Sequence, residues 1–194
     1  MKEALVQGVR KMFPTKLVKG LEIAYRKIRV HVVSARYGYP AKKLKVIAVT
    51  GTNGKTTTVN FINEILKEAG LKTAMFSTAQ IEIDGKKSLN TLNATVGNTA
   101  LMQRFFLRAK RKKVDYVVME FPSHAIDQHK LDTVPVEVAV MTNLTQDHLD
   151  YHGTMENYAA VKAKLFSHTP KYIVLNADDE WYDYFDKHQA SVHK

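Results

Sequence analysis

The residues best suited to chemistry crowd into one stretch, "TGTNGKTTT", residues 50–58. Backbone N–H groups of Gly51, Thr52, Asn53 and Gly54 can surround a phosphate there, and a following helix adds the positive end of its dipole. Lys55 can reach terminal phosphate oxygens, the Thr56 hydroxyl can bind Mg²⁺, and Thr57 completes the first helical turn. The general pattern G-x-x-x-x-G-K-[ST] asks for glycine at position 49, where this chain has Val49. A nucleotide cradle and a plain polar turn are therefore both open readings of the loop. Three further clusters carry reactive groups: "MEFPSH" with Glu120, "MTNLTQDH" with Asn143, and "LNADDE". Glu120 closes an apolar run, and a carboxylate so placed suits Mg²⁺, a hard cation that prefers oxygen ligands.

These clusters follow runs that read as strands. "LKVIAVTG", "LKTAMFST", "VDYVVMEF", "VEVAVMTN" and "YIVLNADD" are short and apolar. Between them, "KTTTVNFINEILKEAG" is amphipathic with Gly70 as its stop, residues 99–112 read as a helix, and "TMENYAAVKAKLF" has a cap at Thr154. "IEIDGKKSL" alternates around Asp84-Gly85, a hairpin signal. Alternating strands and helices predict an α/β fold, a doubly wound and mainly parallel sheet. In such sheets ligands bind beyond the carboxyl ends of the strands, where the polar clusters lie.

Ahead of this region, residues 1–43 read as a helical arm broken near Pro14 and closed by Gly38-Tyr39-Pro40. Residues 44–194 form the expected nucleotide domain. Net charge is +10, and residues 1–45 hold about twelve Lys/Arg against two acids, so most of the excess sits in the arm. A solvated helix face, a membrane-surface contact and a partner-protein contact all fit that arm. Nucleic acid binding through "RAKRKK" has charge alone behind it. The absence of cysteine removes disulfides, thiolate metal sites and thiol nucleophiles. No apolar run has membrane-spanning length and no secretory signal is visible, so the expected compartment is the cytoplasm.

The string "TGTNGKTTT" resembles the ATP loop of the Mur ligase family, which includes the folylpolyglutamate synthetases. "MTNLTQDHLDYHGTMENYAAVKAKLF", residues 141–166, resembles the matching segment of the MurE-type tripeptide synthetases. "MEFPSHAIDQHK" and "LNADDEW" occur in the same order, and the likeness covers about residues 44–182. It implies ATP and Mg²⁺ as cofactors and a muramyl-peptide-like anionic substrate. The substrate carboxylate would become an acyl phosphate, and an incoming amine would displace phosphate to form an amide. The resemblance assigns Lys55, Glu120, His148 and Lys162 to catalysis, with Asn143 supporting the phosphate site. It assigns metal binding to Thr56, Glu120, His148 and Lys162, the last through a carbamate. His152 is a weaker candidate. Helical spacing places Tyr158 and Lys162 on one face and Lys164 elsewhere.

Substrate contacts implied by the family fall on Thr95, Ser123, His124, Gln128 and Lys130, with Asn98 a weaker phosphate contact. The pattern departs at three of the family's positions. Val96 stands for a second threonine, Pro122 for a serine, and Lys130 for an arginine, which loses the bidentate fork. The resemblance also implies that the basic arm stands where the family has a uridine-binding domain. The adenine-contacting segment and the C-terminal amino-acid-binding domain are expected outside this sequence. Two alternatives remain beside the peptidoglycan reading. One is a Mur-type ligase for another substrate such as folate. The other is a non-catalytic nucleotide-binding module that docks through the arm.

Overall fold

The computed structural model describes residues 14–90, 98–167 and 170–193. The helical reading of residues 3–13, and the positions of Thr95 and Val96, lie outside the described residues. Seven strands form one sheet in the order β4-β3-β2-β5-β1-β6-β7. Five are parallel: β1 (Lys45–Thr50), β2 (Thr73–Phe76), β5 (Tyr116–Glu120), β6 (Val136–Met141) and β7 (Tyr172–Leu175). β3 (Gln80–Ile83) and β4 (Lys86–Leu89) extend the β2 edge antiparallel. Their turn places Asp84 at φ 53° and Gly85 at φ 76°, the two positive φ values of a type I′ hairpin.

β1 is central because it is apolar at every position after Lys45 except Thr50, and Val46–Thr50 are buried. Register sets Val49 beside Glu120 and Thr50 beside Met141, so the carboxyl ends of β5, β1 and β6 form one edge. The chain leaves β1 toward β2, and later crosses from β5 to β6 on the other side of β1. The topological switch point therefore lies at the glycine loop.

Helices cover both faces. α2 (Lys55–Glu68) lays Val59, Ile62 and Leu66 on Ile47, Val49, Met75 and Val118. On the opposite face α3 (Thr99–Arg111) contributes Met102, Phe105, Phe106 and Ala109, and the later helix Met155–Ala163 contributes Tyr158 and Ala159. Phe106 is fully buried, and its truncation to alanine costs about 3–5 kcal/mol on general grounds. Asn98 accepts from the Ala100 N–H at 2.8 Å, so its side chain caps α3.

α1 (Thr15–Arg36) begins directly after Pro14, packs beside α3, and ends before Gly38 at φ 69°. Val30 and Ser34 are buried beneath it, and Ser34 Oγ donates to Thr133 Oγ1 at 3.0 Å. β7 is shorter than its sequence pattern predicts. It stops at Leu175 because Asn176 Oδ1 accepts the Asp178 N–H at 3.1 Å, and that local turn replaces the ladder.

Candidate functional site

Two glycines shape the loop for different reasons. Gly51 has φ +149°, and a Cβ there would collide with Thr142 Oγ1, so the position has neither the conformation nor the room for a side chain. Gly54, at the N-cap of α2, has φ +80° but faces open space. The loop is also stapled to the segment after β6. Thr52 N–H donates to the Asn143 carbonyl at 2.9 Å, and Asn53 N–H to Asn143 Oδ1 at 2.9 Å. Asn143 Nδ2 returns a bond to the Asn53 carbonyl at 3.2 Å, and Thr142 Oγ1 donates to the same oxygen at 2.7 Å. Thr52 Oγ1 joins Thr145 and lies 3.3 Å from the Tyr158 hydroxyl. Asn143 thus holds the loop in shape. The first N–H groups of α2 remain at the open end, as at any helix start.

Two lysines converge on this loop. Lys55 Nζ donates to the Gly51 carbonyl at 3.0 Å and to the Thr52 carbonyl at 2.6 Å. Lys162 Nζ donates to the same Gly51 carbonyl at 2.7 Å and stands 4.6 Å from the Tyr158 ring centroid. It projects from α6 (Met155–Ala163), which follows the single turn α5 (Leu149–His152) and is capped by Thr154. Tyr158 and Lys162 share its buried face, while Lys164 points out toward Asp127, as the spacing predicts. Burial lowers the Lys162 pKa to about 7, and the Lys55 charge adds to that shift while Asp147 opposes it. Burial also lowers Lys55, against the pull of Glu120 and Asp147.

Glu120 is completely buried at the end of β5. Thr78 orients it: its N–H donates to Oε1 at 3.1 Å and its Oγ1 to Oε2 at 3.0 Å. Thr56 is half-buried and Thr57 exposed on the first turn of α2. Among the described residues no three His, Asp or Glu side chains gather to hold a metal. The sequence-derived metal set instead mixes a hydroxyl, a carboxylate, a histidine and a lysine from four elements.

His148 belongs to an aromatic cluster. Its ring centroid lies 4.9 Å from that of His124 and 6.4 Å from that of Tyr158, and its Nε2 is 3.4 Å from Asp147 Oδ2. His152 stacks on Tyr158 at 4.9 Å, and its Nε2 pairs with buried Ser123 Oγ at 2.9 Å. Burial lowers the pKa of both His124 and His152, helped by the neighbouring imidazoles.

The substrate candidates divide. Ser123 and His124, on α4 (Ser123–Asp127), join the histidines. Gln128 and Lys130 line a separate cavity of about 270 Å³ with Thr99 and with Arg26 and Arg29 of α1. Burial lowers the Lys130 pKa to about 8, and the Arg29 charge adds to it. Thr95 lies outside the described residues. A cavity of about 700 Å³ opens beside Val136 and Lys171, at the amino ends of β6 and β7, away from this edge.

Sequence reasoning missed Thr78, Thr142, Thr145 and Asp147, and gave Tyr158 no role. Thr142, Thr145 and Asp147 had a signal, their place with Asn143 in the strand-end cluster "MTNLTQDH". Asp179, in the "LNADDE" cluster, accepts the Leu144 N–H at 2.8 Å and so braces the staple from behind.

A glycine loop leading from a central parallel strand into a helix that opens with lysine defines an α/β domain of the P-loop type. Residues 49–193 match the Mur ligase middle domain, and the chain belongs to the Mur ligase family. It is 42% identical over 149 residues to a UDP-N-acetylmuramoyl-L-alanyl-D-glutamate--2,6-diaminopimelate ligase from Syntrophomonas wolfei, covering 75% of this chain and 30% of that one. It is 41% identical over 157 residues to UDP-N-acetylmuramyl-tripeptide synthetase 2 from Oceanobacillus iheyensis, covering 78% and 32%. The chain thus spans about a third of the length of these relatives. A solved diaminopimelate ligase superposes with TM-score 0.67 at 34% identity, over 74% of this chain and 29% of that one. E. coli FolC in complex with DHPP and ADP superposes with TM-score 0.58 at 25% identity, over 71% and 38%.

Proposed function

We propose that this chain is the ATP-binding region of a ligase that forms an amide bond on a muramyl-peptide precursor of peptidoglycan. The observation that carries the reading is the convergence of Lys55 and Lys162 on one loop carbonyl, beside the buried Glu120. The higher identity to the tripeptide synthetases favours this substrate class over folate.

Phosphates enter over the first turn of α2, where free N–H groups and the helix dipole meet negative charge. Lys55 then turns from the Gly51 and Thr52 carbonyls to the terminal phosphate. The acceptor carboxylate attacks the γ-phosphorus and ADP leaves. An amine next attacks the acyl carbon, phosphate leaves, and the amine gives up a proton. The Thr56 hydroxyl and Glu120 are hard oxygen donors that fit Mg²⁺, with His148 and a carbamylated Lys162 for a second ion, and the metal would neutralise phosphate charge. Lys162 suits carbamylation because burial keeps much of it as the free amine near neutral pH, the form that adds to CO₂ with loss of a proton. Ser123, His124, Gln128 and Lys130 are assigned to the acceptor, together with Thr95.

Calorimetric titration with Mg-ATP tests the reading. Lys55→Ala is expected to weaken binding at least about tenfold while the circular dichroism spectrum is unchanged. Equal affinity in the two proteins would refute it. Glu120→Gln, which keeps a partner for Thr78, is expected to remove the Mg²⁺ dependence of binding.

A further inference from the structure

α1 carries two faces. One packs on the domain through Val30 and Ser34 and through Arg26, which pairs with Asp127 at 3.2 Å. The other is bare. Leu17, Leu21, Tyr25, Ile28 and Val32 recur at intervals of three and four residues, and each is 50–64% exposed. Exposed Ala24 and Ala35 fall within the same stripe. No packing need of the domain accounts for five large apolar side chains there.

The borders of the stripe are cationic on both sides. Lys27 lies along one, and Arg29 and Arg36 along the other, all exposed. Arg104 of α3 adds an exposed cation at the C-terminal end of α1, where its Nε donates to the Tyr37 hydroxyl at 3.0 Å. The helix has a single acidic residue, Glu22, which lines the cavity with Lys130 together with Tyr25 and Arg29 at the edge of this face. Pairing with a second copy would set basic border against basic border, with one acid per helix, Glu22, against the exposed Lys27, Arg29 and Arg36. An anionic phospholipid surface answers both features, because the stripe enters the acyl boundary while the borders meet headgroup phosphates.

We propose that α1 docks the protein on anionic lipid bilayers by this face, lying in the plane of the surface. No helix among the described residues is long and apolar enough to cross a membrane, so the contact is peripheral. The nucleotide reading could fail without touching this proposal.

Vesicle co-sedimentation tests it with the full chain. Vesicles of equal parts phosphatidylcholine and phosphatidylglycerol are expected to bind at least about tenfold more tightly than phosphatidylcholine alone. Raising salt to about 1 M, where the screening length is roughly 3 Å, is expected to remove most of that difference. Leu21→Ser with Ile28→Ser, both exposed and so harmless to the fold, is expected to weaken binding about tenfold or more. Lys27→Glu with Arg36→Glu is expected to erase the lipid preference. Equal binding to both vesicles, binding to neither, or full binding by the Leu21→Ser, Ile28→Ser variant would overturn the proposal. So would a dimer, seen by sedimentation equilibrium, that this variant dissolves.

Discussion

The glycine loop and the histidine cluster meet at Tyr158, one touching its hydroxyl and the other its ring, yet they are held by different means. The loop is fixed mainly by backbone groups and short polar side chains, through Thr52, Asn53, Thr142 and Asn143. The cluster, which also includes Tyr151 with its ring 4.2 Å from that of His124, is fixed by ring contacts and two side-chain hydrogen bonds, His152 to Ser123 and Tyr151 to Asp127, and His148 and Tyr151 keep much of their surface in water. The loop's staples join neutral side chains and main-chain groups that do not titrate, whereas stacked imidazole rings respond to charge. The loop side therefore suits a fixed ligand such as a nucleotide, and the histidine side suits a group that varies or moves. The departure at Pro122, which caps α4, falls on the second side, whereas Lys130 lines the separate cavity beside α1.

The largest test of that contrast is within the loop itself. Gly51→Ala drives a Cβ into Thr142, and is expected to cost roughly 2–4 kcal/mol in denaturant unfolding and to abolish nucleotide binding. Gly54→Ala meets open space and is expected to cost about 1–2 kcal/mol, from φ alone. Equal losses would break the account of a loop stapled at its first glycine.

Lys162 gives the next effect. Its folded pKa of about 7 lies below the ordinary 10.5, so the unfolded chain holds the extra proton between those values. Stability of the ligand-free protein should therefore rise with pH across that window, by up to about 1.4 kcal/mol per unit from this group. Lys162→Met is expected to flatten the profile, read from unfolding midpoints at several pH values. A smaller loss is expected for Thr78→Val, about 1–2 kcal/mol, since one hydrogen bond to a buried carboxylate goes while the N–H contact stays. The smallest effect belongs to the cluster. His124 and His152 have folded pKa values below 6.5, so their neutral packing is present above that pH and is lost as pH falls below it. NMR titration of the two rings should show midpoints below 6.5 with loss of the Tyr158 ring contact, and ordinary midpoints would mean the cluster is not packed as described.

Much of this was legible in the sequence. The mainly parallel, doubly wound sheet followed from "LKVIAVTG" and the alternation after it, and the shared face of Tyr158 and Lys162 followed from a four-residue spacing. What was illegible depends on partners about forty or ninety positions apart. Thr78 meets Glu120 only because β2 pairs with β5, and the Asn143 staple exists only because β6 lies beside β1. The second face of α1 was hidden for another reason. Apolar residues at mixed three- and four-residue spacings read as helix, and that spacing does not say which side the domain takes.

The Gly51 carbonyl has one more consequence. Because both ammonium groups bind it, the two lysines are thermodynamically linked, and what happens to one reports on the other. A phosphate that draws Lys55 away and answers its charge relieves the repulsion felt by Lys162, whose proton affinity must then rise. While Lys162 is the free, uncarbamylated amine, nucleotide binding near neutral pH should accordingly take up protons, visible as binding heats that change with the ionisation enthalpy of the buffer. A loop shaped for phosphate would thus also act as a gauge of the protonation of the lysine behind it.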